Sequence, residues 1–285
     1  MNNKSKWNFT LFAPNKLCSD LKCAPLSNII IAFIKRGDNL PADFESVDQF
    51  WLTRRHWLQS YIFLNTKPIE SSMKVCIFSE EAKFTPLFHA SNESYFLSSR
   101  NDCPVLFIEK ELGIAAFVAT GNDLRDVAYS DHKAIVQLIG NGLIISEITF
   151  SFEVTHKSTD SMLATSGKVY ETIFASYARE DKLVVESIES IMQAFGLGEH
   201  RWDLRVLRAG DDWQKQVYEQ IQVADSFQLF WSEHARKSKN VRKEWEYALE
   251  LNRKQFIKPV YWRDPLPSPP KELSQIHFSR IQLMS

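Results

Sequence analysis

Little in this chain of 285 residues advertises a partner through charge: 34 basic residues stand against 35 acidic ones, a formal net charge of −1. That balance lacks the electrostatic footprint that draws a protein onto nucleic acid, and no nucleic-acid partner is expected. Long apolar runs are missing too. The longest, such as 29–34, fall far short of the roughly 20 residues that a membrane-spanning helix needs. Met1 to Trp7 is polar, without the basic start and apolar core of a secretory leader. The expectation is a cytoplasmic protein with no membrane partner. Cysteines number only four, Cys18, Cys23, Cys76 and Cys103, all in the first half and without zinc-ligand spacing. Four residues separate Cys18 from Cys23, which does not fit Cys-X-X-Cys chemistry, and all four are expected to be reduced thiols. No Gly-rich phosphate loop follows any predicted strand, neither G-x-G-x-x-G nor a Walker loop.

What is present divides in two. A length of 285 residues suits two ordinary domains, since single domains commonly run to roughly 100–200 residues. The segment His156 to Lys168 is polar, rich in Ser and Thr and carries Gly167. It separates two differently patterned halves, so the expected division is a first domain over 1–155, a linker over 156–168 and a second domain over 169–285. In the first domain, Ser46 to Leu64 is patterned as an amphipathic helix and precedes apolar, β-prone runs. Ala134 to Ile139, Gly140-Asn141-Gly142 and Leu143 to Phe152 read as a hairpin, because Asn-Gly favours the positive dihedrals of a tight turn. A second hairpin is predicted from Pro104–Glu109 through Lys110-Glu111 into Gly113–Thr120. This half is an α+β domain with antiparallel hairpins.

The second half alternates strand and helix with short connections, which calls for a parallel sheet. Glu171 to Tyr177 is the first strand, and Ala178-Arg179-Glu180-Asp181 is an acidic helix start suited to the positive end of a helix dipole. The stripe Val184, Ile188, Ile191, Met192, Phe195 predicts a helix to about Phe195. Trp202 to Arg208 follows as a strand, then a helix with Trp213, Val217 and Ile221 inward, a strand over Ser226–Trp231, a helix over Val241–Leu251, a strand over Ile257–Trp262 and a last one over His277–Leu283. Asp264 to Pro270, with four prolines, excludes regular structure.

The most informative spacing is Ser232, Ser238, Val241, Glu244. If a helix opens near Val241, then Val241, Trp245, Ala248 and Leu249 form its core-facing stripe, and Glu244 falls on the edge of that stripe. An acid there can be partly buried beside a cleft. Ligands in open α/β sheets bind beyond the carboxyl ends of the strands, where Ser176 and Tyr177 fall.

Three of these segments together resemble TIR (Toll/interleukin-1 receptor) domains of the NAD-consuming type. Thr172-Ile-Phe-Ala-Ser-Tyr177-Ala-Arg-Glu-Asp181 is similar to the first TIR box, with Thr172 where an aspartate is usual. Arg208 to Trp213 resembles the loop after the second strand, and the Ser232 to Glu244 series resembles the glutamate motif of plant and bacterial members. The Pro-rich loop and Ile276-His277-Phe278 fall in the expected order. The resemblance covers about 115 residues and leaves the first domain without a family.

It implies a flavodoxin-like parallel sheet with helices on both faces, self-association through the TIR domain, and NAD+ as substrate rather than cofactor, so that no cofactor or metal is expected. Glu244 is the implied catalytic residue. Ser176, Tyr177, Arg179, Trp213, Ser238 and Trp231 are candidates to line the substrate site. Arg179 has a second reading as a surface residue, and Trp231, Trp213 and Trp245 have a second reading as core. The implied activity is NAD+ glycohydrolase in a bacterial antiphage or stress response, with residues 1–155 sensing an unidentified ligand or protein. The alternatives are a non-enzymatic TIR adaptor and a cyclase that makes a cyclic ADP-ribose messenger.

Overall fold

A computed structural model describes residues 7–20, 28–36, 73–89, 95–97, 102–104, 106–109, 112–120, 123–140, 142–157, 162–194 and 213–281. The chain divides into two compact units, the first ending at Val169 and the second beginning at Tyr170, with the three residues Asn141–Leu143 grouped with the second.

Among its described residues the first unit is built of strands. They are β1 (Trp7–Pro14), β2 (Lys16–Cys18), β3 (Ile29–Arg36), β4 (Met73–Phe78), β5 (Thr85–His89), β6 (Tyr95–Leu97), β7 (Asp102–Pro104), β8 (Leu106–Glu109), β9 (Leu112–Val118), β10 (Asp131–Gly140), β11 (Leu143–Thr155) and β12 (Met162–Lys168). One sheet runs β12-β1-β3-β9-β5-β6, with β8 on β9, and every pairing given within it is antiparallel. A second runs β2-β11-β10-β4-β7, in which β2 lies parallel to β11. β10 and β11 alternate buried and outward residues with the period of two that a half-buried strand requires. The predicted hairpin between them is present, and Gly142 has a φ of 84°, in the region open to glycine. Phe84, Phe150 and Phe152 meet edge-on or tilted in the core between strands.

Three expectations for this half are corrected. The segment read as a linker over 156–168 holds β12, which pairs with β1 from Asn8↔Lys168 to Pro14↔Met162. Its Ser and Thr side chains suit the exposed side of a terminal strand, so polarity there marks an edge and not a tether. The second hairpin is shorter than predicted: Asp102–Pro104 pairs with β4, and only Leu106–Glu109 turns onto β9. Pro104 has no amide to continue the ladder. Finally, Cys18 is disulfide-bonded rather than a free thiol, while Cys76 is free and buried. Cys-X-X-Cys spacing is not a condition for a disulfide, which needs only the approach of two Cα atoms to within about 7 Å. The predicted helix over Ser46–Leu64 lies outside the described residues.

The second unit has β13 (Ile173–Ser176), α1 (Lys182–Ala194), α2 (Trp213–Val223), β14 (Ser226–Phe230), α3 (Glu233–Lys237), α4 (Lys239–Glu250), β15 (Ile257–Tyr261) and β16 (Ser279–Arg280). The described strands form a parallel sheet in the order β13-β14-β15-β16. All residues of β13 and β14 are buried, as expected of strands covered on both faces. The core gathers Phe174, Ile221, Phe227, Leu229, Trp231, Val241, Trp245 and Leu273, and each large side chain so buried contributes about 1.5–3 kcal/mol. Asp225 closes the start of the sheet. Its Oδ2 accepts from the amides of Glu171 and Thr172 and from Thr172 Oγ1 at 2.8, 3.0 and 3.2 Å. The predicted strand over Trp202–Arg208 and the loop before Trp213 lie outside the described residues.

Gly167 tests the role of β12. A Cβ there would stand 2.5 Å from Ile148 Cγ1 and 3.1 Å from the Glu147 carbonyl, and Ile148 is buried. Gly167→Ala is expected to destabilise the first unit by about 1–3 kcal/mol through overpacking, read as a lower midpoint in calorimetry. An unchanged midpoint would return 162–168 to the role of a tether.

Candidate functional site

The carboxyl ends of β13 and β14 and the start of α4 meet around one buried carboxylate. Ser238 is extended (φ −77°, ψ 120°) and N-caps α4, accepting from the Val241 amide. Serine is favoured there because its short hydroxyl satisfies an amide that the helix itself leaves unpaired. From that start the helix turns Val241, Glu244, Trp245 and Ala248 inward, and Glu244 is only 1% exposed. The sequence placed this residue at the edge of the apolar stripe; the fold places it inside.

Taking a carboxylate out of water costs several kcal/mol unless polar groups replace the lost hydration. Ser176, the last residue of β13 and itself fully buried, donates from Oγ to Glu244 Oε2 at 2.6 Å. A bond this short is characteristic of a hydroxyl donating to a charged acceptor. It fixes the carboxylate against the strand end that the sequence marked as the mouth of the sheet.

A second serine–carboxylate pair joins the segment after β14 to the turn after β13. Ser232, which follows β14, donates from Oγ to Asp181 Oδ2 at 2.6 Å. The same Oγ accepts from the amides of His234 and Ala235 at 3.1 and 3.0 Å and so N-caps α3. Asp181 ends the short 3-10 turn Arg179–Asp181 after β13 and is buried. Burial pushes its carboxyl above the ordinary range; the Ser232 hydrogen bond and the charges of His234 and Arg263 oppose that shift, and Glu180 adds to it.

The other candidates divide. Tyr177 is buried directly after Ser176, and Arg179 is exposed on the turn. Trp231 is 2% exposed and packed in the core, with its indole N–H donating to the Pro267 carbonyl at 2.8 Å. Trp245 is buried in the same core. Trp213 opens α2. Thus Ser176 and Glu244 are in contact and Ser238 caps the helix that bears Glu244, whereas Trp231 serves packing and holds the Pro-rich loop.

The sequence reading missed two things. Between the strand ending at Trp231 and the helix opening at Val241 it read a loop, whereas Glu233–Lys237 is a helix carrying His234. It also gave Asp181 no partner. The signal for the first was Ser232 followed by an acid in the first turn; the second pairing joins positions 51 residues apart and has no local signature.

Fold and geometry therefore define a parallel α/β domain with a buried serine–glutamate pair at the carboxyl edge of its sheet. Residues 173–283 match the family model described as TIR domain, and this part of the chain is a TIR domain. No family model covers the residues before it. No curated protein matches the chain. Among solved structures, a conjugative transposon lipoprotein from Bacteroides eggerthii DSM 20697 is similar at 12% identity over 50% of this chain and 95% of that one, with a TM-score of 0.19, a likeness too slight to carry an argument. Among the described residues no helix is long and apolar enough to cross a membrane.

The direction of the Asp181 shift gives a stability prediction. Because the folded carboxyl binds its proton more tightly than the unfolded one, the folded state is favoured most at low pH and loses stability as pH rises from the ordinary aspartate range through the raised folded value. Asp181→Asn removes this loss. Its melting temperature relative to the parent is expected to rise between acid and neutral pH and then level off, as followed by thermal unfolding across pH.

Proposed function

We propose that the TIR domain is an NAD+ glycohydrolase with Glu244 as its catalytic residue, activated by self-association. The observation that carries this reading is the placement of a 1% exposed carboxylate at the carboxyl edge of a parallel sheet, oriented by Ser176. Ordinary helix glutamates face solvent, and one held inside a fold at such an edge is a candidate for chemistry.

The reaction needs little more than a fixed anion. The nicotinamide nitrogen of NAD+ is already cationic, so when the C1′–N bond breaks its electron pair returns to that nitrogen and neutral nicotinamide departs without a general acid. The ribose becomes oxocarbenium-like, as in glycosidases. A preoriented carboxylate in a water-poor setting stabilises the growing charge at C1′. Water then adds at C1′ and loses a proton, giving ADP-ribose. Ser176 keeps the carboxylate in one orientation. In this reading Tyr177, directly after Ser176, and Ser238, at the start of the helix that bears Glu244, line the substrate site; Arg179, exposed on the turn after β13, is available to a pyrophosphate, and Trp213 opens α2.

Glu244 is sealed from solvent in the single chain, which agrees with a site that opens on assembly and so protects the cell's NAD+ until a signal arrives. The first unit is the natural receiver of that signal, in an antiphage or stress response.

Purified protein incubated with NAD+ is expected to release nicotinamide at a rate rising more steeply than protein concentration. Glu244→Gln should lower that rate by about a hundredfold or more, and Ser176→Ala by about tenfold through loss of orientation. The co-product separates hydrolysis from cyclisation. Release that persists in Glu244→Gln would remove Glu244 from the chemistry, and release absent from the parent at every concentration, with or without a crowding agent, would favour the adaptor reading.

A further inference from the structure

We infer that Asp181 is a positioning residue for Glu244, acting through Ser232: the carboxylate fixes the Ser232 hydroxyl, that hydroxyl fixes the first turn of α3, and α3 delivers the Ser238 cap from which α4 carries Glu244. The inference rests on the NADase reading for its kinetic arm alone.

Each link is a contact of the fold. Ser232 Oγ lies 2.6 Å from Asp181 Oδ2 and accepts from the His234 and Ala235 amides. A hydroxyl has one proton and two acceptor positions, so donating to Asp181 aims both lone pairs at the two amides. α3 spans five residues, too few to hold themselves in helix without end contacts. At its far end the Ser238 amide donates to the Ala235 carbonyl, and the Ser238 side chain caps α4. The Ser238 cap therefore lies six positions after the Ser232 anchor, and Glu244 six positions after that cap. A shift at the first is transmitted along two short rigid pieces to the last.

The chemistry of Asp181 supports a positional rather than a stabilising role. Burial disfavours its charge, and the groups that face it are Ser232 and His234 from the α3 side, Arg263 after β15 and Glu180 beside it. An acid kept there against its solvation works against stability, as functional groups often do. Its Oδ2 accepts from a hydroxyl whose direction matters.

The test compares Asp181→Ala, Ser232→Ala, the double variant and Ser232→Thr in the full chain, by nicotinamide release and by amide hydrogen exchange. Both alanine variants are expected to lower kcat by about tenfold with KM nearly unchanged, the signature of misplacement rather than lost binding. The double variant should be no slower than either single, because both remove one path. Ser232→Thr, which keeps the hydroxyl, should restore kcat. Exchange at the His234 and Ala235 amides should rise in Asp181→Ala toward the level of Ser232→Ala. An Asp181→Ala variant with parental kcat and parental exchange overturns the inference, as does a double variant whose losses add. If the parent chain releases no nicotinamide, the exchange arm decides alone: faster exchange upholds the Asp181 path while the NADase reading fails, and unchanged exchange rejects the path itself.

Discussion

The hydrogen bond from Ser176 Oγ to Glu244 Oε2, 2.6 Å long between two fully buried side chains, is the constraint on which the C-terminal domain turns. A carboxylate in that position is tolerable only where polar groups replace water. That requirement ties the end of β13 to the middle of α4, elements 68 residues apart in sequence. Much of the neighbouring structure can be understood as holding the two ends still. The parallel pairing of β13 with β14 fixes the strand. Val241, Trp245 and Ala248 seat the helix in the core, and Ser238 sets where the helix begins.

The first unit is held by different means. Its ladders are mostly antiparallel and its apolar residues alternate along β10 and β11, so its stability comes from cross-strand packing rather than from strands buried on both faces. Asn28 shows how local polar contacts complete it. Its side chain accepts from the Cys18 amide and donates to the carbonyls of Cys18 and Ala119, each at 2.8 Å. One buried asparagine thus closes three backbone groups that no strand ladder reaches.

The parts of this architecture that were legible in sequence are those written in local pattern. β14 and β15 lie within a residue of their predicted ends because each is an apolar run bounded by breakers, and α4 begins two residues earlier than predicted because its cap, Ser238, precedes the apolar stripe. Glu244 was legible because its spacing from Ser232 and Ser238 is a pattern within one chain segment. What was not legible depends on distance in sequence. The edge strand β12 could not be told from a tether, since its partners on β1 lie 148 to 160 residues away and its polar face resembles a loop. Trp231 drew attention by lying beside the motif, yet its indole N–H satisfies the Pro267 carbonyl, a contact that only the folded Pro-rich loop supplies.

The two serine–carboxylate pairs differ in a way that bears on how such a site is maintained. Ser176 donates to its carboxylate from the end of β13, and so Glu244 is held directly from a strand. Ser232 divides its hydroxyl between Asp181 and two helix amides, so Asp181 acts on a helix start and not on Glu244 itself. A strand can hold one face of a carboxylate, but it cannot set the register of the helix that bears it; a capped helix can set the register but leaves the carboxylate free to rotate about its own side chain. Together the two restrain both freedoms, and they bury a second acid whose charge burial disfavours. Selection for stability alone would replace Asp181 with a neutral acceptor.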